Sequence, residues 1–200
     1  DFHVDQALQR ARELGEQPGY FCPGQFNSEL NVEENRLILG PEILAQLPPG
    51  RMPDALVLGV GTGGTLIGVG QAFRARNPGV RLFAMEPSES KTILCGEIAS
   101  HAIEGISDGF VPGIFQRHSD LIDEVTAVSS DEALVEMKRL AREHGLLCGP
   151  SSGAHLLAAR RIREAHPELR TIVTIFCDEG EKYLSSYFSQ AADDASLTFA

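Results

Sequence analysis

From residue 54 onward, short apolar runs alternate with glycine-containing turns and amphipathic stretches. Residues 55–60 are continuously apolar, which is typical of a strand covered on both faces. Similar runs predict further strands at 80–85, 123–128, 146–148 and 171–177. Strands that alternate with helices imply βα units. The pattern therefore predicts an α/β fold with a mostly parallel sheet flanked by helices.

Helices are predicted where apolar residues recur at helical spacing between cap residues. Ser129 and Glu132 have the spacing of a capping box, and Gly145 closes the helix that follows. The other predicted helices cover 3–15, 32–47 with an interruption near Gly40-Pro41, the stretch from the first glycine turn to about Arg76, and 152–166. The sequence predicts a short strand at residues 19–26 and an irregular segment at residues 100–120.

Composition and charge limit the classes of function that the chain can have. The chain has 200 residues, 42% of them hydrophobic, and a net charge of -11. This acidic balance argues against a nucleic-acid or anionic-membrane surface, and no apolar run is long enough to span a membrane. Four widely spaced cysteines indicate reduced thiols in a cytoplasmic protein. The histidines have no metal-ligand spacing, so we predict no metal site.

A glycine-rich turn follows the first strand. Residues 59–65 read Gly-Val-Gly-Thr-Gly-Gly-Thr. Glycines let the backbone turn tightly and bring its N–H groups close to a ligand, and the following helix adds its positive N-terminal dipole. This arrangement suits a phosphate. One candidate ligand is a single phosphate monoester, to which the hydroxyls of Thr62 and Thr65 would also donate.

The other candidate ligand is a dinucleotide. Gly59, Gly61 and Gly64 have G-x-G-x-x-G spacing. Glu86 stands at the end of the next predicted strand, where it would bind ribose hydroxyls. The pattern alone leaves both ligands open.

A second turn, Gly149-Pro-Ser-Ser-Gly153, matches the G-x-S-x-G nucleophile elbow of α/β-hydrolases. That fold needs a histidine after the acidic member of its triad, and none follows His166. The order of residues therefore argues against a hydrolase.

Five short motifs occur in an order and spacing similar to those of the cysteine synthases. These are the fold-type II pyridoxal-phosphate enzymes, which include O-acetylserine sulfhydrylase and cystathionine β-synthase. The motifs are Gly61–Thr65, Glu86–Ser88, Glu104–Pro112, Gly149–Ala154 and Gly180–Ser185. The resemblance covers nearly the whole chain up to about residue 188, and it favours pyridoxal 5'-phosphate over a dinucleotide at the glycine turn.

The resemblance implies roles for particular residues. The cofactor phosphate would be held by the backbone and hydroxyls of Gly61, Thr62, Gly63, Gly64 and Thr65. Ser151 would hydrogen-bond the pyridine nitrogen, and a neutral hydroxyl there favours β-elimination and replacement. Gln25 would lie near the substrate carboxylate. Gly105 would line the entrance for the incoming sulfur nucleophile.

The implied reaction replaces the β-acetoxy or a similar group of an activated serine by sulfide, giving cysteine. Residues 177–180 read Cys-Asp-Glu-Gly and are nearer to the type of cysteine synthase that accepts thiosulfate. Two alternatives stay open. One is a cystathionine β-synthase-like enzyme, and the other is a non-catalytic phosphate- or dinucleotide-binding module.

The Schiff-base lysine of the family stands in a Ser-x-Lys-Asp-Arg context near its start. None of Lys91, Lys138 and Lys182 has that context, so no catalytic residue is assigned. A lysine is needed for covalent cofactor chemistry. We therefore expect that these residues correspond to the C-terminal two thirds of the family, with the N-terminal portion absent, and are inactive by themselves.

The resemblance also divides the chain. Residues 1–47 would be a remnant of the small domain with a linking helix, 48–188 the large cofactor-binding domain, and 189–200 a weakly ordered tail. The implied partners are an amino-acid substrate, a sulfur donor, a second copy of the chain in a homodimer, and a serine acetyltransferase.

Overall fold

A parallel four-stranded sheet forms the centre of the computed structural model, which describes residues 4–189. The strands lie in the order β3-β2-β1-β4, and all three neighbouring pairs are parallel. The strands are β1 (Ala55–Gly59), β2 (Arg81–Pro87), β3 (Glu124–Val128) and β4 (Ile172–Val173). The predicted α/β fold with a mostly parallel sheet is confirmed.

Both faces of the sheet are covered, as the apolar runs predict. Residues 55–58 of β1 are at most 3% exposed. Ala55 and Val57 contribute to one buried cluster, and Leu56 and Leu58 contribute to another. Successive side chains of a strand point to opposite faces, so the fold has three layers, helix on sheet on helix.

Helices α4, α6 and α7 make up most of the two outer layers. They cover Gly64–Arg74, Ser130–His144 and Pro150–Ala165. Helix α4 packs on one face, and α6 and α7 pack on the other. Helix α6 has the predicted capping box and ends at Gly145, whose φ of 66° is the left-handed conformation that closes a helix. The other helices include α1 (Val4–Gly15) and the short α5 (Gly113–Arg117).

The predicted helix break near Gly40-Pro41 is wrong. Helix α2 (Glu29–Glu34) continues through a π-helical turn at Asn35–Leu39 into α3 (Gly40–Gln46), with helical dihedral angles at both junctions. Pro41 has no N–H to donate to the preceding turn. The wider π turn immediately before it carries the helix past the missing bond.

Three predicted strands are absent or shortened. Residues 19–26 contain no strand: 20–24 are irregular and lie between two turns, with Gly24 at a φ of 59°. Residues 146–148 make a single antiparallel bridge, between Cys148 and Glu179. The strand predicted over 171–177 pairs with β1 only at Ile172 and Val173, because side chains occupy the next positions of the ladder.

Within residues 4–189, no helix is long and apolar enough to cross a bilayer. The predicted tail lies, apart from Ser189, outside the described residues.

Candidate functional site

The order of the strands reverses between β1 and β4. The chain leaves β1 through α4 and reaches β2 on one side, whereas β4 is added last on the other side of β1. In open parallel sheets, ligands bind in the crevice outside the carboxyl ends of the strands at such a reversal. The glycine turn at 59–65 follows β1 at this point.

A cavity of about 410 Å³ lies in that crevice. The predicted site residues Gly61, Thr62, Gly63, Thr65, Gly105 and Ser151 line it, together with His155, Cys177 and Asp178. Four segments that are separate in sequence, one of them the start of α7, therefore meet around one space. Its volume is within the usual range for small-molecule sites.

The glycine turn presents free backbone donors to this cavity. Gly63 has a φ of 86° and precedes the first turn of α4. Within the described part of the chain, no acceptor is paired with the N–H groups of Gly61, Thr62, Gly63 or Thr65. Free N–H groups beside a helix N-terminus form an anion site.

The hydroxyl of Thr62 is oriented by two donors. Its Oγ1 accepts from Nδ2 of Asn31 at 3.0 Å and from the N–H of Gly64 at 3.2 Å. A hydroxyl oxygen has two lone pairs. Both are occupied here, so the hydroxyl proton is free to donate to an acceptor in the cavity.

Close backbone approach explains Gly61. A Cβ at this position would stand 2.5 Å from the carbonyl oxygen of Gly105, so the glycine lets the two loops meet. Gly105 itself has a φ of 89°. Any larger residue at position 61 would push the loop that contains Gly105 away from the glycine turn.

Ser151, which also lines the cavity, is buried, at 4% exposure, in the first turn of α7. Its hydroxyl lies close to the Cys177 thiol. Burial raises the pKa of that thiol, the Asp178 carboxylate raises it further, and the nearby Ser151 hydroxyl opposes both. The neighbouring Ser152 donates to the carbonyl of Cys177 at 2.7 Å, which fixes the start of α7 against residue 177.

Two predicted site residues lie outside the lining. Gly64 begins α4, and a Cβ there would overlap the amide of Asn31. Gln25 is exposed, and its backbone carbonyl accepts from Nδ2 of Asn31 at 3.1 Å. Asn31 thus joins Gln25 to the glycine turn.

Glu86 does not face the cavity. It is 1% exposed, and its two carboxylate oxygens accept from the N–H groups of Ile93 and Leu94 at 2.7 and 3.0 Å. Burial raises its pKa, and these two hydrogen bonds oppose the rise. Glu86 is therefore unavailable to a ribose, and the dinucleotide alternative loses the carboxylate it requires.

His155 is a site residue that sequence reasoning missed. It is 2% exposed on α7 and contacts the cavity. A single histidine within a helix carries no spacing signal, so nothing in the sequence pattern marked it.

Among the described residues, no lysine lines the cavity. Lys182 stands nearest the rim, where its Nζ lies 3.4 Å from Oδ2 of the lining residue Asp178, with a side chain 63% exposed. Lys91 is engaged with Glu97 at 3.8 Å.

The residues present fit pyridoxal phosphate. The free N–H groups and the directed hydroxyl of the glycine turn suit a phosphate, which is an anion with several acceptor oxygens. The buried neutral hydroxyl of Ser151 suits a pyridine nitrogen. The fold and site together define a cofactor-binding α/β domain of the phosphate-monoester class.

Comparison with known proteins agrees with this class. The sequence pattern of the pyridoxal-phosphate dependent enzymes matches residues 2–178. The chain is 39% identical over 180 residues to a cysteine synthase of Staphylococcus aureus, covering 90% of this chain and 57% of that protein. The chain belongs to the family of pyridoxal-phosphate dependent enzymes, and the expected cofactor class is confirmed.

Solved structures show the same likeness. An O-ureido-L-serine synthase superposes with a TM-score of 0.85 at 36% identity, covering 96% of this chain and 60% of that one. An O-acetylserine dependent cystathionine beta-synthase from Helicobacter pylori superposes with a TM-score of 0.83 at 35% identity, covering 91% and 58%. The chain thus spans less than two thirds of the length of these relatives.

Proposed function

We propose that this chain serves a pyridoxal-phosphate-dependent β-replacement of the cysteine synthase type. In this reaction a sulfur nucleophile replaces the leaving group of an activated serine. The observation that carries the proposal is the convergence of the glycine turn, Gly105 and Ser151 on one cavity. Relatives named cysteine synthase and O-ureido-L-serine synthase support it.

The glycine turn and Ser151 would bind different parts of the cofactor in this proposal. The N–H groups of Gly61, Thr62, Gly63 and Thr65 and the Thr62 hydroxyl would bind the phosphate. The Ser151 hydroxyl would hydrogen-bond the ring nitrogen. When bound, the cofactor supplies electron withdrawal from the α-carbon of an amino acid. Because a neutral hydroxyl does not hold the ring protonated, this withdrawal is moderate, which favours elimination and replacement at the β-carbon.

The lining favours sulfide over thiosulfate as the sulfur donor. Glu104 and Asp178 place two carboxylates beside the cavity, and Lys182 is close enough to offset one of them. A dianion would meet like charge there, whereas sulfide carries less negative charge. An aminothiol nucleophile, as in a cystathionine β-synthase, is the second candidate.

We further propose that residues 1–200 alone bind the cofactor reversibly and do not turn over. The lack of a lysine in the described lining supports this, since covalent cofactor chemistry needs one. We also propose that the small-domain remnant ends at residue 47 and that the large domain begins at residue 48. The protein would form a homodimer in the cytoplasm and bind a serine acetyltransferase. These parts of the proposal rest on the family resemblance.

The proposal is tested by titrating the purified chain with pyridoxal phosphate and following cofactor absorbance and fluorescence. We expect saturable binding that inorganic phosphate competes away and that Ser151→Ala and Thr62→Val weaken. Thr171→Val is the matched control, because it makes the same change of side chain at a threonine outside the lining. Its affinity for pyridoxal phosphate should equal that of the unmodified chain. Absence of saturable binding by the unmodified chain would refute the cofactor site.

Borohydride reduction followed by intact-mass measurement tests the second part. We expect no stoichiometric adduct and no cysteine from O-acetylserine and sulfide. A one-to-one adduct on a single lysine, or turnover, would show that Lys91, Lys138 or Lys182 is recruited.

A further inference from the structure

The ladder between β1 and β4 ends in an unusual way. The N–H of Ala55 donates to the carbonyl of Thr171 at 3.2 Å. A parallel ladder repeats every two residues, so the N–H of Gly59 is due to donate to the carbonyl of Ile175. This direct hydrogen bond is absent, and an imidazole ring takes its place.

His155 bridges these two backbone groups. Its Nε2 lies 2.7 Å from the backbone N of Gly59, and its Nδ1 lies 2.7 Å from the carbonyl oxygen of Ile175. A carbonyl can only accept, so Nδ1 carries the proton. An amide N–H can only donate, so Nε2 is the acceptor. The partners therefore fix one neutral tautomer.

A second side chain replaces the neighbouring backbone hydrogen bond of the ladder, the one to the carbonyl of Val57. Oγ1 of Thr174 donates to the carbonyl of Val57 at 2.8 Å. With His155, it satisfies the backbone groups that β1 loses when β4 stops pairing at Val173. Buried backbone groups need such partners.

The insertion separates the chain segments where the cavity lies. In a regular ladder, the backbone N of Gly59 and the carbonyl oxygen of Ile175 would be about 2.9 Å apart. Here the imidazole ring and its two hydrogen bonds lie between these atoms and hold them further apart. Gly59 leads directly into the glycine turn, and Ile175 leads to Cys177 and Asp178. All four residues line the cavity with His155.

We propose that His155, as the neutral tautomer protonated on Nδ1, is a positioning residue that holds the glycine turn and the 174–178 segment apart and so keeps the cofactor cavity open. The inference rests on the proposed cofactor site. Burial lowers the pKa of the ring, which agrees with a neutral imidazole, and the hydrogen bond to Ile175 opposes that shift.

Three variants test the cofactor side of the inference. His155→Leu keeps apolar bulk but cannot bond, whereas His155→Gln offers one acceptor and one donor. We expect the Leu variant to bind pyridoxal phosphate about tenfold or more weakly, and the Gln variant to recover most of that loss. His144→Gln, at the exposed end of α6, should bind like the unmodified chain. A folded Leu variant with unchanged affinity, or a Gln variant as weak as the Leu variant, would overturn the inference.

The ring nitrogens can be read directly in the unmodified chain by histidine ¹⁵N NMR. This measurement does not depend on any variant folding or on any cofactor binding. We expect a protonated Nδ1 and an unprotonated Nε2 at neutral pH. A charged ring or the opposite tautomer would overturn the inference. Failure of the unmodified chain to bind pyridoxal phosphate, with the expected tautomer present, would instead count against the proposed function.

Discussion

Exchanging Asn31 for aspartate tests how the glycine turn binds a phosphate. In the structure, the Asn31 amide donates to Thr62 Oγ1 and thereby leaves the hydroxyl proton for the cavity. In Asn31→Asp, a carboxylate oxygen replaces the donor with almost no change of shape. The Thr62 hydroxyl then donates to this carboxylate and is withdrawn from the cofactor.

Two terms set the size of the effect. Loss of a hydrogen bond to a charged phosphate costs about 1.5–3 kcal/mol. The new carboxylate also lies one hydroxyl away from the phosphate, roughly 6 Å, where repulsion between unit charges is about 3 kcal/mol at an effective dielectric constant of about 20. We therefore expect the Kd for pyridoxal phosphate to rise by about three to four orders of magnitude.

The assay is a fluorescence titration with pyridoxal phosphate at two salt concentrations, with thermal unfolding measured in parallel. Part of the deficit should shrink at high salt, because salt screens the charge term. Asn31→Ala removes the amide without reversing its polarity and should bind better than Asn31→Asp. Gln9→Glu adds the same charge on the exposed face of α1 and should leave the Kd unchanged.

Two results would refute this reasoning. One is an Asn31→Asp chain that is folded and binds within about threefold of the unmodified chain. The other is an equal loss in Asn31→Ala and Asn31→Asp, which would make packing of Asn31 against Gly64, rather than the polarity of the amide, the decisive contact.

Two further predictions concern the loop and the helix layer. Gly61→Ala should abolish detectable pyridoxal phosphate binding, because its Cβ would stand 2.5 Å from the backbone carbonyl oxygen of Gly105. The control is Gly79→Ala, whose Cβ would meet only a side-chain oxygen, at 3.4 Å. Equal affinities of the two variants for pyridoxal phosphate would contradict the argument. Glu136→Gln should lower the free energy of unfolding at pH 7 by about 1–3 kcal/mol in urea titrations, because the buried carboxylate bonds Arg139 and Arg160 at 2.7 and 2.8 Å. The hydrogen bond from Arg139, with the charge of Arg160, lowers the pKa of Glu136, so its stabilisation is present above the unfolded-state pKa of about 4.3 and is lost as the pH falls through the folded-state value. A difference between Glu136→Gln and the unmodified chain that does not diminish as the pH is lowered below about 4.3 would contradict this assignment.

Local sequence was enough for the elements whose signals are short-range. The continuous apolar run of β1 predicted a strand buried on both faces. Ser129, Glu132 and Gly145 predicted both ends of α6, because caps act within one turn of the helix. The motif resemblance identified the cofactor family, which the comparisons confirm.

Sequence was not enough where distant side chains take the place of backbone partners. The run at 171–177 has strand character, yet β4 stops at Val173, because Thr174 and His155 occupy the next rungs. His155 lies 96 residues from Gly59 along the chain, so no local pattern could join them.

The candidate site divides in the same way. The sequence by itself determined which residue types meet a phosphate, since glycines, threonines and a helix start are adjacent along the chain at 59–65. Only the tertiary structure decided that Asn31 directs the Thr62 hydroxyl, and that Glu86 turns its carboxylate toward its own neighbouring loop. Both depend on which groups remain unpaired after the layers pack, because an unpaired polar group is costly to bury.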